Sequence, residues 1–459
     1  MDARLLTDLP RLAKARVTVM GLGLFGGGVG VTQFLCRAGA RVTVTDLRSA
    51  EDLEESVRAL TNWPVDLHLG GHREEDFRDA DLVVVSPGVP WTSPWLSLAR
   101  AIETEMNLFF KLCPTPTIYG VTGSNGKTTT TTLIGEILSR GPRKVWLGGN
   151  LGISLLPAVA EIAPDDIVVL ELSSFQLEAL DVIQRSPHVS VVLNITPNHL
   201  DRHGTMAAYI DAKRSIVRHQ RRYDARVLNA DDPVVRGFAG GDTRWFGREA
   251  DVASGGVRIE AETLRYRTNI FDLANRRLRG RFNLQNMAAA VSATANALTG
   301  WADAAYDVLL HFPGVEHRLE FVTEIDGVSY YNDSIATTPE RTLAALDTLT
   351  GPLVILLGGY DKKLSFDTLG QCVATRCRAA VLFGDTAPAI EEAICKAEPA
   401  QDFQLLHGSS FAEAVELARQ VAQPGDCVVL SPACASYGMF TNFVERGRAF
   451  KKLLATMST

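Results

Sequence analysis

The chain has 459 residues, of which 46% are hydrophobic and 22% charged, and its formal net charge at pH 7 is -7. A chain of this length typically forms about three globular domains. The negative net charge is not accompanied by a basic tract. We therefore expect no nucleic-acid partner, because a phosphate backbone would be repelled.

The cysteines and the apolar segments favour a cytoplasmic protein. Seven cysteines are scattered along the chain without a C-x-x-C pair, which is typical of reduced thiols. No run of about 18 apolar residues occurs, and residues 1–16 carry charges without an apolar core. We expect neither a membrane partner nor a secretion signal.

Three successive segments alternate apolar strands with amphipathic helices, which predicts an α/β protein with mainly parallel sheets. We place the domains at residues 1–107, 108–313 and 314–459. The predicted strands cover residues 16–20, 41–45, 81–85, 167–170, 189–195, 226–228, 353–357, 380–383 and 427–430. Residues 240–281 predict shorter antiparallel strands, with a turn at Gly255-Gly256.

The first strand leads into a glycine-rich loop, Gly21-Leu22-Gly23-Leu24-Phe25-Gly26, and Asp46 ends the next strand. This spacing matches the dinucleotide fingerprint, in which glycines bring the backbone close to a pyrophosphate. The motif predicts a bound pyrophosphate but not the molecule that contains it, since uridine-diphosphate sugars have a pyrophosphate as well as dinucleotides. An NAD-dependent dehydrogenase is one interpretation, although it leaves the next motif unexplained.

A second glycine-rich loop, Gly120-Val121-Thr122-Gly123-Ser124-Asn125-Gly126-Lys127-Thr128-Thr129, separates a predicted strand from a predicted helix. Its backbone N–H groups can face phosphate oxygens, Lys127 adds a positive charge, and the Thr128 hydroxyl can bind Mg2+. Val121 stands where the general phosphate-loop pattern has glycine. The loop predicts a nucleotide triphosphate site, and a nucleotide-binding protein without chemistry remains an alternative.

Further polar residues follow later strands of the second segment. Glu171 comes after the apolar run 167–170, where a magnesium carboxylate is expected; a helix N-cap role is the alternative. The segment Asn194–Asp201 supplies His199 and Asp201 at the same sheet edge. Lys213, judged by its spacing, is indistinguishable from a solvated helix lysine.

The third segment contains four polar motifs, at residues 316–320, 332–338, 358–363 and 431–436. All but the first follow a predicted strand, so we expect them at one face of the third sheet. Arg318 suits a phosphate, Lys362 a carboxylate or a phosphate, and Ser436 a hydrogen-bonded anion.

Together these motifs resemble the Mur ligases, and the likeness extends over all three segments. It is carried by Gly123–Thr128, Glu171–Glu178, Asn198–Arg202, Asn229–Asp232, His317-Arg318, Asn332–Ser334 and Ser431–Ser436. The resemblance implies a UDP-binding Rossmann-like domain, a central phosphate-loop ATPase domain and a Rossmann-like C-terminal domain. It also implies an ADP-forming peptide ligase of peptidoglycan precursor synthesis. In such enzymes ATP phosphorylates the alanyl carboxylate of UDP-N-acetylmuramoyl-L-alanine, and the amine of glutamate attacks the acyl phosphate.

The resemblance implies a role for each matching residue. The catalytic residues would be Lys127, Lys213, His199 and Glu171. The ATP-binding residues would be Gly123, Ser124, Asn125, Gly126, Lys127, Thr128, Thr129, Asn283, Asn286, Arg318 and Asp333. The residues that bind the UDP substrate would be Leu24, Asp46, Arg48, Ser86, Pro87, Gly88, Asn150 and His199. Those that bind glutamate would be Thr337, Lys362, Ser436 and Phe443. Two Mg2+ ions would be held by Thr128, Glu171, His199 and Lys213, the last after reaction with carbon dioxide to a carbamate.

One position departs from the resemblance and affects the predicted acceptor. Ile335 stands where many such enzymes have lysine in the pattern D-S-K-A-T-N. D-glutamate is the expected acceptor, and an L-glutamate-adding variant of the same ligase remains an alternative. We expect the protein to be a monomer.

Overall fold

The computed structural model describes residues 12–23, 26–278, 280–346, 349, 351–361 and 364–457. Two residues predicted to bind substrates, Leu24 and Lys362, lie outside these ranges. The chain forms two compact units. Unit 1 comprises Met1–Ala274 and Phe282–Leu309, and unit 2 comprises Asn275–Arg281 and Leu310–Thr459.

The first part of unit 1 contains five strands and four α-helices. The strands are β1 (Arg16–Met20), β2 (Arg41–Asp46), β3 (Val65–Leu69), β4 (Leu82–Val85) and β5 (Ile102–Thr104). The helices are α1 (Gly27–Arg37), α2 (Glu54–Arg58), α3 (Glu74–Arg78) and α4 (Glu105–Leu112), with a 3-10 helix at Pro94–Leu98. The sheet is parallel, in the order β3-β2-β1-β4-β5. The strand order reverses beside β1, where open α/β sheets bind ligands at the carboxyl ends of their strands.

The second part of unit 1 is built on a nine-stranded sheet. Its strands are β6 (Ile118–Thr122), β7 (Val145–Gly149), β8 (Ile167–Glu171), β9 (Val189–Val192), β10 (Ala225–Asn229), β11 (Asp242–Gly247), β12 (Val257–Glu260), β13 (Thr263–Tyr266) and β14 (Asn269–Asp272). Its order is β14-β13-β12-β11-β10-β9-β6-β8-β7. The helices that follow in the chain are α5 (Lys127–Leu138), α6 (Ser174–Val182), α7 (Leu200–His203), α8 (Met206–Arg218), α9 (Pro233–Arg236), α10 (Arg281–Thr294) and α11 (Trp301–His311), with a 3-10 helix at Leu156–Glu161.

The short antiparallel strands predicted for residues 240–281 are present as β12 paired with β13 and β13 paired with β14, whereas β11 pairs with β12 in parallel. A turn ends at Gly255 as predicted, with the Gly255 N–H donating to Val252 O (3.0 Å), and it lies in the connection between β11 and β12. Residues 248–256 are too long a connection for a tight hairpin. The strand predicted over residues 189–195 is shorter, because β9 ends at Val192 and the Ile195 N–H donates to Asp232 Oδ2 (2.9 Å).

Unit 2 contains the third sheet. Its strands are β15 (Glu320–Ile325), β16 (Val328–Asn332), β17 (Leu353–Gly358), β18 (Cys377–Phe383), β19 (Gln404–His407) and β20 (Cys427–Leu430). Its helices are α12 (Pro339–Leu346), α13 (Asp367–Arg376), α14 (Ala387–Lys396), α15 (Phe411–Val421) and α16 (Phe443–Met457). The order is β15-β16-β20-β17-β18-β19, and β15 is the antiparallel strand.

The central strand β17 shows why this sheet forms. Its apolar residues alternate between two cores: Leu353, Ile355 and Leu357 pack on one face, and Val354 and Leu356 on the other. A parallel strand covered by helices on both faces needs such an uninterrupted apolar sequence. The predicted α/β class with mainly parallel sheets is thereby confirmed, whereas the domain boundaries at 107/108 and 313/314 stay a prediction. No helix in the described ranges is long and apolar enough to cross a membrane.

Candidate active site

The second glycine-rich loop joins β6 to the start of α5, as the sequence predicted. Gly126 caps α5 with φ 83°, and a Cβ there would lie 2.2 Å from Asn286 Oδ1. Asn286 donates in turn to Asn283 Oδ1 (3.0 Å), and both asparagines are buried. The structure thus brings two predicted adenine-binding residues of α10 to the phosphate loop.

Neighbouring loops already bond part of this phosphate loop. The Ser124 N–H donates to the backbone oxygen of Asn194, and the Asn125 N–H donates to its side-chain oxygen, both at 2.9 Å. The Ser124 hydroxyl lies 2.9 Å from both the N and the O of Thr196, and 3.0 Å from the Tyr209 hydroxyl. These groups fix the loop, which leaves phosphate binding to the N–H groups at the start of α5, where helices have no internal partners.

Lys127 is the first residue of α5 and folds back over the loop. Its Nζ donates to the carbonyl oxygens of Gly123 and Ser124, both at 3.0 Å. The ammonium group is therefore held at the loop, beside the positive end of the helix, where a phosphate would meet both charges.

A buried carboxylate lies next to the loop. Glu171 is the last residue of β8 and 2% exposed; its Oε2 accepts from Thr128 Oγ1 (2.7 Å), and its Oε1 accepts from Asn150 Nδ2 (2.9 Å). The N-cap alternative for Glu171 is wrong, because Ser173 caps α6 through a capping box with Gln176. A hydroxyl and a carboxylate are the hard oxygen ligands that Mg2+ prefers, with phosphates completing its shell.

Lys213 is buried, so its assignment to a solvated helix face is wrong. Its side chain is 2% exposed, and Nζ lies 3.0 Å from Gly123 O and 3.3 Å from Thr122 Oγ1. Burial and the charge of Lys127 lower the pKa of Lys213 well below its usual value, and Glu171 opposes this shift. The amine therefore tends toward the neutral form beside the phosphate loop.

The sequence did contain a signal for this burial. Tyr209, Ala212, Ile216 and Val217 are buried on α8, and with Lys213 they repeat at positions i, i+3, i+4, i+7 and i+8. That spacing describes one face of a helix. A lysine inside an apolar stripe is unusual, and this position could have singled out Lys213.

His199 belongs to the loop that connects β9 to α7. It has a left-handed backbone (φ 53°), and its ring lies 5.3 Å from the ring of Phe175. The Asn229–Asp232 motif supports the start of this loop: Asn229 Nδ2 donates to Leu193 O (2.7 Å), and Asp232 accepts from the Ile195 N–H. These bonds give that motif a structural role.

Three of the four predicted magnesium ligands, Thr128, Glu171 and Lys213, lie at the phosphate loop. Thr128 and Glu171 are in direct contact, and Lys213 lies beside the same loop. In the part of the chain that the structure describes, no cluster of three or more His, Cys, Asp or Glu side chains could hold a metal ion. The oxygen pair nevertheless fits Mg2+ that is shared with substrate phosphates.

The first glycine-rich loop lies at the carboxyl end of β1. Asp46 ends β2, and its carboxylate accepts from the N–H groups of Leu22 (2.9 Å), Gly23 (3.2 Å) and Arg48 (3.0 Å). A Cβ on Gly21 would lie 2.8 Å from Ser86 Cβ. The structure thus groups Asp46, Arg48 and Ser86 around this loop, with Asp46 holding its backbone.

The polar motifs of unit 2 meet at the carboxyl ends of β16, β17 and β20. Asp333 accepts from Ser431 Oγ (2.7 Å) and from the Leu319 N–H (3.1 Å), and burial raises the pKa of Asp333 to about 7. Ser334 donates to Phe443 O (2.7 Å), and the Phe443 ring lies 6.1 Å from His317. Of the other predicted residues, Ser436 is buried, Arg318 precedes β15, and Thr337 precedes α12.

Sequence reasoning missed one residue of this cluster. Arg446 in α16 is fully buried and donates to Ser334 Oγ (3.0 Å), Ser334 O (2.9 Å) and Cys434 O (3.0 Å). An arginine on a helix of mixed charge gives no local sign that its guanidinium joins two loops.

Comparison with known proteins decides the family. Residues 15–107 match the description "Mur ligase MurD-like, N-terminal domain", 121–294 match "Mur ligase middle domain", and 317–434 match "Mur ligase, glutamate ligase domain". A protein of Roseiflexus sp. (strain RS-1) is 45% identical over 98% of this chain and 100% of its own length. One from Symbiobacterium thermophilum is 44% identical over 96% and 98%. Both are named UDP-N-acetylmuramoylalanine--D-glutamate ligase.

The chain belongs to the Mur ligase family.

Solved Mur ligases share its fold. MurC of Thermotoga maritima aligns with a TM-score of 0.58 at 18% identity, over 96% of this chain and 100% of that one. MurF of the same organism, solved in complex with ADP, gives 0.53 at 18%, over 91% and 96%. The predicted family is thus confirmed, and membership in it sets aside the dehydrogenase and non-catalytic interpretations.

In this Mur ligase we expect Gly126→Ala to weaken ATP binding at least about tenfold. The new Cβ would collide with Asn286 Oδ1 and would require a left-handed backbone that L residues avoid. Gly255→Ala is the matched control, because Gly255 also has a positive φ (80°) but nothing within 4 Å of its Cβ position. Calorimetric titration with ATP compares the two. Equal affinities for both variants would contradict the packing argument.

Proposed function

We propose that this protein joins D-glutamate to UDP-N-acetylmuramoyl-L-alanine in an ATP-dependent, ADP-forming reaction. The observation that carries the proposal is the grouping of Lys127, the Thr128–Glu171 pair and buried Lys213 around one phosphate loop. The names of the relatives, which align over nearly their whole length, favour D-glutamate over the L-glutamate alternative raised by Ile335.

The chemistry consists of two transfers. In the first, an oxygen of the alanyl carboxylate attacks the γ-phosphorus of ATP, and ADP leaves. In the second, the amine of glutamate attacks the carbonyl carbon of the acyl phosphate, phosphate leaves, and the nitrogen loses a proton. Phosphoryl transfer of this kind depends mainly on positioning and on charge compensation.

In this proposal, residues of the phosphate loop position the phosphates and compensate their charge. Lys127 would compensate charge on the β- and γ-phosphates, and the first N–H groups of α5 would bind phosphate oxygens. Gly123, Ser124, Asn125 and Thr129 shape this loop in the proposal. Asn283 and Asn286 would contact adenine, and the family resemblance also assigns Arg318 and Asp333 to ATP binding.

We propose that Thr128 and Glu171 hold one Mg2+, and that His199 and a carbamate on Lys213 serve a second. When bound, Mg2+ would screen the repulsion between the triphosphate and the carboxylate. Carbamate formation requires a neutral amine, which attacks carbon dioxide and releases a proton. The lowered pKa of Lys213 favours the neutral form of that amine, and the resulting anion would be attracted to Lys127.

The remaining assignments are proposals that rest on the family. Asp46, Arg48, Ser86, Pro87 and Gly88, together with Leu24, would hold the UDP group. Asn150 and His199 would face the muramoyl portion. Thr337, Lys362, Ser436 and Phe443 would bind glutamate. We also propose that the protein is a monomer and acts in the cytoplasm, where its nucleotide substrates are made.

One assay tests both the reaction and the acceptor. The protein is incubated with ATP, Mg2+ and UDP-N-acetylmuramoyl-L-alanine, with D- or L-glutamate offered separately, and the product is weighed by mass spectrometry. We expect an amide product and stoichiometric ADP with D-glutamate. Product formed with L-glutamate alone would overturn the proposed acceptor, and the absence of product with either would overturn the proposed reaction.

A further inference from the structure

We propose that Arg202 is a positioning residue that joins the loop proposed to hold UDP to the loop that carries His199. The inference rests on the proposed function, because it assigns the two loops to one substrate. Arg202 lies on α7, directly after the β9–α7 loop and three residues from His199. Its contacts on both sides of the guanidinium support this role.

On one side, the guanidinium binds three consecutive carbonyl groups that follow β4. Nη1 donates to Gly88 O (2.8 Å), and Nη2 donates to Pro87 O (3.2 Å) and Val89 O (2.5 Å). A planar arginine fork, with donors in fixed directions, can hold several oxygens of one turn at once. These bonds connect the first sheet of unit 1 to an element of the second.

On the other side, Arg202 packs on the ring against which His199 also packs. Its Cζ lies 4.7 Å from the centroid of Phe175, and the His199 ring lies 5.3 Å from the same ring. A cation over an aromatic face is attracted by the ring quadrupole. Because Phe175 contacts both side chains, a displacement of Arg202 would also displace His199.

The Phe175 ring is itself held from behind. It stacks on His203 at 5.1 Å with an interplanar angle of 9°. The His203 side chain is 2% exposed, and it lies 2.9 Å from Ser174 Oγ through Nε2 and 3.1 Å from Glu178 Oε1 through Nδ1. Because these partners belong to α6, the ring that Arg202 contacts is anchored to that helix on its other face.

The alignment matters because one covalent substrate must reach both loops. The UDP group and the alanyl carboxylate have a fixed connection, so a shift of one loop relative to the other moves the carboxylate away from the phosphate loop. A misplacement of about 1 Å can lower a rate on the order of a hundredfold.

The test uses Arg202→Met in the full-length protein, with Arg236→Met as the control. Arg236 forms an exposed ion pair with Glu249 (2.7 Å) in the same unit. For Arg202→Met we expect KM for UDP-N-acetylmuramoyl-L-alanine to rise about 10- to 100-fold, as expected for losing hydrogen bonds to a charged donor. KM for ATP should change less than about threefold. Equal changes in both constants would indicate a general structural defect and overturn the proposal.

Two further variants separate positioning from folding. Arg202→Lys keeps the charge but cannot span three carbonyl groups, so its KM should lie between those of wild type and Arg202→Met. Phe175→Leu removes the shared ring, and in the double variant with Arg202→Met the two effects on KM should not multiply. Multiplicative effects would show that Arg202 and Phe175 act independently, contrary to the proposal.

A measurement without substrates distinguishes this inference from the proposed function. Hydrogen–deuterium exchange of residues 84–92 should be faster in Arg202→Met than in wild type and in Arg236→Met, because the loop opens more often. Unchanged exchange would overturn the role of Arg202 even if wild type makes the amide. If wild type makes no amide, the proposed function fails, and the exchange result still decides whether Arg202 holds the loop.

Discussion

Replacing Lys127 with alanine is expected to lower the UDP-N-acetylmuramoyl-L-alanine-dependent release of ADP by roughly 100- to 1000-fold, the loss typical of removing one preorganised electrostatic group. In the structure its ammonium group is held over the phosphate loop by the carbonyls of Gly123 and Ser124. Alanine leaves the loop without a charge to offset the phosphates. Steady-state ADP release at saturating ATP measures the effect.

Lys144→Ala is the matched control for this prediction. Lys144 is exposed, and its Nζ lies 3.7 Å from the centroid of the Trp146 ring, away from the phosphate loop. We expect wild-type turnover from this variant. Binding of UDP to Lys127→Ala should also be retained, since the first glycine-rich loop is unchanged. Turnover of Lys127→Ala within tenfold of wild type would remove Lys127 from the proposed ATP site.

The second large effect is expected at Lys213. Lys213→Met should lower turnover roughly 100-fold or more, a loss on the scale of one preorganised catalytic group. Wild type assayed in buffer free of carbon dioxide should lose activity and regain it when bicarbonate is added, whereas Lys213→Met should respond to neither. Arg214→Met, the exposed neighbour on α8, should behave as wild type. Full wild-type activity without carbon dioxide would refute the carbamate.

Lys213→Met should lower turnover but raise stability, and the sign of the stability change follows from the lowered pKa of Lys213. Below the unfolded-state pKa of about 10.4, the unfolded chain binds a proton that the folded chain binds less well. The free energy of unfolding therefore rises with pH between the lowered folded-state value and the unfolded value. Lys213→Met should remove this slope and raise the melting temperature at neutral pH. A lower melting temperature would show that the buried amine stabilises the fold.

The candidate site was predictable where its chemistry follows directly from local order along the chain. The loop 123–128 comes between a strand and a helix, and Glu171 ends an apolar strand. The carboxyl ends of parallel strands meet at one edge, so these residues could be placed together before any coordinates were known.

The prediction failed where position along the chain does not determine the partner. The strand predicted to end at residue 195 ends at Val192, because the Ile195 N–H donates to Asp232 of a later segment. Lys213 could not be told from a solvated helix lysine by its spacing, and in the structure it is buried beside Gly123 and Thr122. Local spacing describes only the nearby backbone, whereas these contacts are made with segments that are distant in the sequence.

The sequence by itself determined the fold class, the family and the residues of the phosphate loop, because periodic apolar strands and glycine spacing act over a few neighbouring residues. Only the tertiary structure decided that Lys213 is buried beside Lys127 and that Arg202 holds the carbonyls of residues 87–89. The depressed pKa of Lys213 comes from the exclusion of water by α8 and the loop together. Such exclusion exists only after remote segments have packed.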